Sequence, residues 1–403
     1  MNHVTENKQC LACGSTNLHS ALDLGQQPLA NSYKKSAGDE EDRYPLGVHL
    51  CHDCFHLQLS HTVDPEIIYK NYLYATGTNQ TIKDYSAWFA EFCLESYEGA
   101  SNVLDIGCND GTQLNYFKAL GLNTHGIDPA ENLHPRSSAN HNVVCDFFGP
   151  NAVDELKKVK YDIITAQNVC AHNPDPKSFL ESCAKLMADD TVLFVQTSQA
   201  DMVLNNEFDT IYHEHVNFFN ANSMNELAKR VGLYLIDVVK APIHGNSYIF
   251  ILSKHSYNLY RVNNIIGLER AYGLLDLETY TRWAEHVKSL VTQLQEQIKQ
   301  HREQGYKIVG YGAAAKGNTL LNYANIDLDF IVDDNQLKQG LHTPGRSIPI
   351  VSIGRVEGLS QVDRVVFIPL AWNFFNEIRE RILSARKNDQ DVFLRYFPKV
   401  ELV

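Results

Sequence analysis

Residues 212–215 read Tyr-His-Glu-His, and they lie downstream of a glycine turn, Asp105-Ile-Gly-Cys-Asn-Asp-Gly111. The first stretch supplies titratable bases and the second resembles a turn that holds a nucleotide, so together they describe a base beside an activated group. A zinc-protease reading of His213, Glu214 and His215 fails on spacing. The H-E-x-x-H pattern puts its histidines one helical turn apart, whereas here they are two residues apart with no third ligand nearby.

The acidic residues along the turn discriminate between ligands. A dinucleotide site offers three spaced glycines and an open helix N-terminus to a pyrophosphate. Here Asp105 and Asp110 repel phosphate and suit a cationic, hydroxyl-bearing ligand. Asp128 closes the second strand, where a carboxylate can accept both hydroxyls of a ribose, and Asp146-Phe147 after the third can receive an adenine amine and cover the ring. Gly107 and Asn109 in the turn and Asn168 beyond the fourth strand complete the expected cofactor contacts. The pattern points to S-adenosylmethionine (SAM) and away from NAD.

A second chemistry precedes the first. Cys10-x-x-Cys13 and Cys51-x-x-Cys54 are two knuckles whose short spacers let paired sulfurs face one ion, so four thiolates are expected to bind zinc. With every position filled by cysteine the ion is structural, and the segment it ties together is expected to be poor in regular structure. His49, His52 and His56 are rival ligands that four cysteines make unnecessary. Cys93, Cys108, Cys145, Cys170 and Cys183 are expected as buried free thiols.

These groups need a large scaffold. The 403 residues, 44% hydrophobic, support two or three cores, and a formal charge of -13 disfavours a broad nucleic-acid surface while allowing a local basic pocket. Apolar runs are broken before spanning length and the polar start lacks a signal-peptide core, which predicts a soluble cytoplasmic protein. From Asn102 a βα rhythm sets in: strands Val103–Ile106, one ending at Asp128, one at Val144–Phe147, Tyr161–Thr165 and Thr191–Val195, with a helix over Thr112–Leu120. That alternation predicts a parallel sheet covered on both faces, with its ligand across the carboxyl ends. A helix is expected before it, Thr78–Tyr97, and a helix Ser223–Gly232 with strands Tyr234–Val239 and Tyr248–Ser253 after it.

Residues 260–304 read as long helices in which Leu290, Leu294 and Ile298 form an apolar stripe, for a domain or a dimer partner. Lys307–Gly312 then opens a second, smaller Rossmann-like unit, with a helix Ala313–Tyr323, further strands at Leu328–Asp333 and Arg364–Ile368, and a helix starting at Trp372-Asn373-Phe374. Its turn suits an anion better than the first one does, because Lys316 follows Gly312. The expected organisation is α/β: a zinc-binding domain (1–70), a SAM methyltransferase domain (71–240), substrate-site strands and connecting helices (241–305), and a C-terminal Rossmann-like domain (306–403).

The paired knuckles, Leu104–Gly111, Phe208-Asp-Thr-Ile-Tyr-His-Glu-His215, Pro242-Ile-His-Gly245 and Gly312-Ala-Ala-Ala-Lys-Gly-Asn-Thr-Leu320 together resemble the three-part, zinc-containing, SAM-dependent C-methyltransferases of nucleotide-linked deoxy-keto-sugars. The resemblance spans nearly the whole chain and keeps the family's motif order. It implies His215 as the base that removes a proton next to a ketone, with Tyr212, Glu214, His172 and Tyr74 in the active site and His213 peripheral. It further implies Tyr72, His244, Asn246, Lys316 and Asn318 on the acceptor, a monomer or homodimer, and no membrane partner. One stretch departs from the pattern. The better-known members carry His-Gly-Gly followed by a basic residue where this chain has His244-Gly-Asn-Ser-Tyr248, so a different sugar or a non-sugar ketone stays open.

Overall fold

A computed structural model describes residues 3–69, 80–95, 97, 99–197, 201–241, 247–257 and 259–403. Tyr72, Tyr74, His244 and Asn246 lie outside them. The central sheet has seven strands in the order Tyr234–Ala241, Ser247–Ser253, Met187–Thr197, Tyr161–Gln167, Asn102–Ile106, Asn123–Ile127 and Asn142–Val144. The last five run parallel and the first two are antiparallel, so the sheet continues across residue 240. Val103, Leu104, Ile106, Ile163 and Ile164 are fully buried, as strands covered on both faces require.

The second Rossmann-like sheet orders Ile350–Val351, Phe330–Val332, Lys307–Tyr311, Val365–Pro369 and Val392–Arg395 in parallel, closed by antiparallel Glu401–Leu402. The N-terminal region is more regular than its composition suggested. Strands Leu18–Gln27, Tyr44–Cys51 and Leu57–Leu59 form an antiparallel sheet, joined at its edge by Asn217–Phe218 from far along the chain. The alternation Leu46, Val48, Leu50 buries one face of that sheet, a period-two signal that the cysteines drew attention away from.

The helical stretch divides into Leu259–Ala271 and Leu277–Glu303, the latter started by Asp276, whose side chain accepts from Glu278 N. Its stripe Leu290, Leu294 and Ile298 is consumed inside the chain. It lies in one apolar core with Leu46 and Leu50 of the N-terminal sheet, Phe208 and Ile211 of the segment before His215, and Ile308 and Leu320 of the second unit. The first unit keeps a separate core, including Leu104, Ile164 and Leu193.

Smaller corrections have local causes. The third strand stops at Val144, which leaves Cys145 exposed rather than buried and puts Asp146 and Phe147 on a loop past the sheet edge. Trp372–Phe374 form a 3-10 turn before the helix Phe375–Ala385. Among the described residues no helix is long and apolar enough to cross a membrane.

Candidate active site

The segment from Asp201 to Asn220 is held from several sides. Its buried Asp209 accepts from Trp372 Nε1 at 3.0 Å and Tyr396 Oη at 2.8 Å, both from the second unit. Thr319 Oγ1 donates to the Ile211 carbonyl at 3.2 Å. Burial raises the Asp209 carboxyl, while nearby Lys316 and the two donors oppose the shift. Asp209 carried no local signal in the sequence, because its partners lie 163 and 187 residues away.

Within this frame His215 is 5% exposed. Its Nδ1 lies 2.9 Å from the Thr210 carbonyl, and a carbonyl only accepts, so Nδ1 carries the hydrogen. That leaves the lone pair on Nε2, which receives the Tyr212 hydroxyl at 2.6 Å. The His172 ring lies parallel to His215 with centroids 5.0 Å apart and 26° between planes. Tyr212, His172 and His215 therefore come together. His213 turns the other way, fully buried edge-on against Tyr44, with its imidazole pushed down to about 4 by desolvation.

Glu214 points at the N-terminal region, accepting from Asn31 Nδ2 at 2.6 Å. Burial pushes its carboxyl up to about 7, against the opposing pull of that amide. Asn31 was not singled out in the sequence, since nothing at residue 31 announces a contact 183 positions away. The same stretch reaches the second unit, where Tyr33 Oη donates to the Ala313 carbonyl at 2.5 Å and Asn318 Nδ2 donates to the Ala30 carbonyl at 2.7 Å. Asn318, 1% exposed, is thus drawn to the N-terminal region. Lys316 sits 3.8 Å from Glu207 and over the Trp372 ring at 4.9 Å, with its side chain 19% exposed.

The glycine turn lies at the carboxyl edge of the central sheet. Gly107 has φ +75°, and a Cβ there would meet Val169 Cγ2 at 2.4 Å, so the residue admits no side chain. Asp128 closes the turn by accepting Asn109 N and Ala130 N, each at 2.8 Å, which leaves one lone pair per oxygen for hydroxyl donors. Asp105 is buried and bonded by Thr165 Oγ1 at 2.7 Å, and desolvation pushes it up to about 7. Asp110, which precedes the Gly111 N-cap of the following helix, accepts from Thr112 and pairs with Arg136 at 3.1 Å. Asp146 and Phe147 are exposed past the end of the third strand. Two buried oxygens at this edge, Asn168 Oδ1 and Thr197 Oγ1, have no hydrogen-bond partner among the described residues. Orphaned acceptors beside an acidic turn fit a ligand carrying hydroxyls and positive charge.

In the second unit the corresponding turn is closed by Asp333, which accepts Ala313 N at 2.7 Å and Asn335 N at 2.8 Å. Lys338 Nζ lies 3.9 Å from Asp333, donates to the Ala313 carbonyl at 2.8 Å and sits over the Tyr33 ring at 5.0 Å.

Cys10, Cys13, Cys51 and Cys54 bring their sulfurs within 4.8 Å of one another, with Cys10–Cys54 at 3.5 Å and Cys13–Cys51 at 3.6 Å. A tetrahedral zinc with about 2.3 Å bonds requires sulfurs about 3.8 Å apart, so the set fits. Thiol donors from Cys10 and Cys54 hold Cys51 below the usual thiol range, while the same contacts push Cys10 and Cys54 up. His56 is not in the cluster, and its Nε2 lies 3.1 Å from Asn217 Oδ1.

Three family models match successive parts of the chain. Residues 10–69 match a model of a zinc binding domain, residues 79–238 a methyltransferase domain, and residues 242–398 a C-methyltransferase C-terminal domain. The C-methyltransferase NovU of Streptomyces niveus is 28% identical over 389 residues, 92% of this chain and 91% of the relative. A ubiquinone biosynthesis O-methyltransferase of Glaesserella parasuis serovar 5 is 33% identical over 106 residues, 24% of this chain and 44% of the relative. Among solved structures, the 1,6-didemethyltoxoflavin-N1-methyltransferase of Burkholderia thailandensis covers 51% of this chain and 97% of its own, at 16% identity and a TM-score of 0.37. The chain has the fold and domains of a SAM-dependent methyltransferase, with a four-cysteine site suited to structural zinc.

Proposed function

We propose that this three-part SAM-dependent methyltransferase methylates a carbon next to a ketone, with C-3 of a nucleotide-linked 4-keto-deoxysugar as the acceptor and His215 as the base. One observation carries the reading. The tautomer imposed by Thr210 leaves His215 Nε2 with a lone pair, on a buried ring and beside a hydroxyl that can stabilise an oxyanion.

Bound SAM supplies an electrophilic methyl on a sulfonium. Asp128 orients it through ribose hydroxyls, and Asn168 Oδ1 takes one of its donors. The Tyr212 hydroxyl turns its proton from Nε2 to the acceptor's carbonyl oxygen as the α-proton passes to Nε2. The enolate's carbon, rather than its hydrogen-bonded oxygen, is then the exposed nucleophile. His172, stacked on His215, and Glu214 join it in the proposed active site, with Tyr74 as a further catalytic group and Tyr72 as an acceptor contact. Lys316, partly exposed beside Glu207 and Trp372, is the candidate for the acceptor's anionic portion, and His244 and Asn246 for its sugar ring. The proton on His215 leaves to solvent before the next cycle.

The sugar assignment is supported by the resemblance in 208–215 and 312–320. The C-methyltransferase named above, which this chain matches over almost its full length, favours carbon as the methylated atom. Incubation with methyl-¹³C SAM and a nucleoside-diphosphate 4-keto-2,6-dideoxyhexose should give a carbon-bonded methyl by two-dimensional NMR. Label on oxygen or nitrogen would overturn the reading.

A further inference from the structure

The second cysteine knuckle grips the catalytic segment through contacts that hold no ion. Asn222 Nδ2 donates to the Cys54 carbonyl at 2.9 Å and Asn220 Nδ2 to the Phe55 carbonyl at 2.8 Å. Strand Asn217–Phe218 pairs with Gln58 and Leu57, and Leu59 N donates to the Val216 carbonyl at 2.9 Å. Asn217 stands where these contacts meet, and it is completely buried. Its Nδ2 donates to the Asn173 carbonyl at 2.8 Å, and its Oδ1 faces His56 Nε2 at 3.1 Å. An amide oxygen only accepts, so His56 carries its hydrogen on Nε2, and both ends of the Asn217 side chain are committed.

Asn173 follows His172 directly, and Asn217 comes two residues after His215. One side chain thus bridges the backbones that carry the two stacked imidazoles, and His56 fixes which way its amide points. We propose that Asn217, oriented by His56 on the zinc knuckle, is a positioning residue that sets the placement of His215 against His172. The inference rests on His215 being the base, and it gives the N-terminal domain a part in turnover without contact to any reacting atom. A supporting hydrogen bond of this kind is worth about 10–100-fold in activity where it orients a functional side chain.

The test uses the entire 403-residue, zinc-loaded chain, with SAM for turnover and with S-adenosylhomocysteine (SAH) bound for hydrogen exchange. His56→Leu removes the donor to Asn217, and His56→Gln restores an amide N–H at the position of Nε2. His56→Leu should lower kcat about 10-fold, with zinc content, SAH affinity and acceptor KM held within about twofold, and His56→Gln should recover most of the loss. Hydrogen exchange should quicken in peptides covering 170–175 and 210–220 in His56→Leu alone, and stay unchanged over 102–128. Unaltered exchange at 210–220 or an unaltered kcat in His56→Leu would overturn the proposal, as would zinc loss in step with activity. If the unsubstituted protein methylates no keto-sugar, the proposed reaction fails by itself, and the exchange comparison still decides the positioning role.

Discussion

At the end of the second strand of each Rossmann-like unit stands an aspartate whose two oxygens close the glycine turn beside it. Asp128 takes Asn109 N and Ala130 N, and Asp333 takes Ala313 N and Asn335 N, at nearly equal distances. The surroundings differ. Burial raises Asp128 with only those two amides opposing it, whereas Asp333 has Lys338 within 3.9 Å and Tyr33 packed over that lysine. In the first unit, then, the carboxylate keeps its capacity for an incoming donor. In the second, the chain's own lysine and an N-terminal tyrosine occupy the edge, and the crevice has become a docking seat. On the proposed function, the same backbone device serves a ligand in one case and domain assembly in the other.

The sharpest way to break this comparison is to make the mirrored substitutions. Asp128→Ala should weaken SAH binding by about 100-fold or more, since hydrogen bonds to a charged group are worth about 1.5–3 kcal/mol each, while Asp333→Ala should leave it within about twofold. Calorimetric titration reads both, and equal losses would erase the distinction. Next in size is Leu294→Ala. It opens the core shared by the N-terminal sheet and the second unit, and should cost about 2–5 kcal/mol in denaturant unfolding while SAH affinity holds.

Lys338→Met should cost about 1–3 kcal/mol, because Asp333 and the Ala313 carbonyl lose the lysine that faces them. A concurrent loss of SAH affinity would show that the second unit serves the cofactor after all. The smallest effect concerns Glu214, whose carboxyl rises from 4.5 to about 7 on folding. The folded state binds the proton more tightly, so this group's contribution is full below 4.5 and is lost as pH rises toward 7. Glu214→Gln should therefore flatten the decline in stability between pH 4.5 and 7 by about 1–3 kcal/mol, measured as unfolding midpoints across that range. A slope identical to the unsubstituted protein's would remove Glu214 from the account.

Both Rossmann-like units were legible because period, glycine turns and strand-end acids are local signals. The four cysteines were legible for the same reason, their spacing being a property of a few adjacent residues. The N-terminal sheet was not, since its edge strand Asn217–Phe218 comes from another domain and its alternation is short. His172 and His215 emerged from a resemblance, and the structure adds what holds them. Asn31, Asp209 and Asn217 stayed invisible because each acts through a partner more than forty residues distant. The substitution of neutral Tyr248 for a basic residue finds a partial counterpart: Lys240 pairs with it across the hairpin and lies 5.5 Å above its ring.

The central claim is that His215 Nε2 takes a proton from carbon, and proton exchange without methyl transfer isolates that step. With SAH filling the cofactor site and the 4-keto-2,6-dideoxyhexose nucleotide in deuterium oxide, the unsubstituted protein should wash deuterium into C-3, and His215→Asn should slow this by about 10²–10⁴-fold while binding SAH normally. Exchange at the same rate in both proteins would contradict the account.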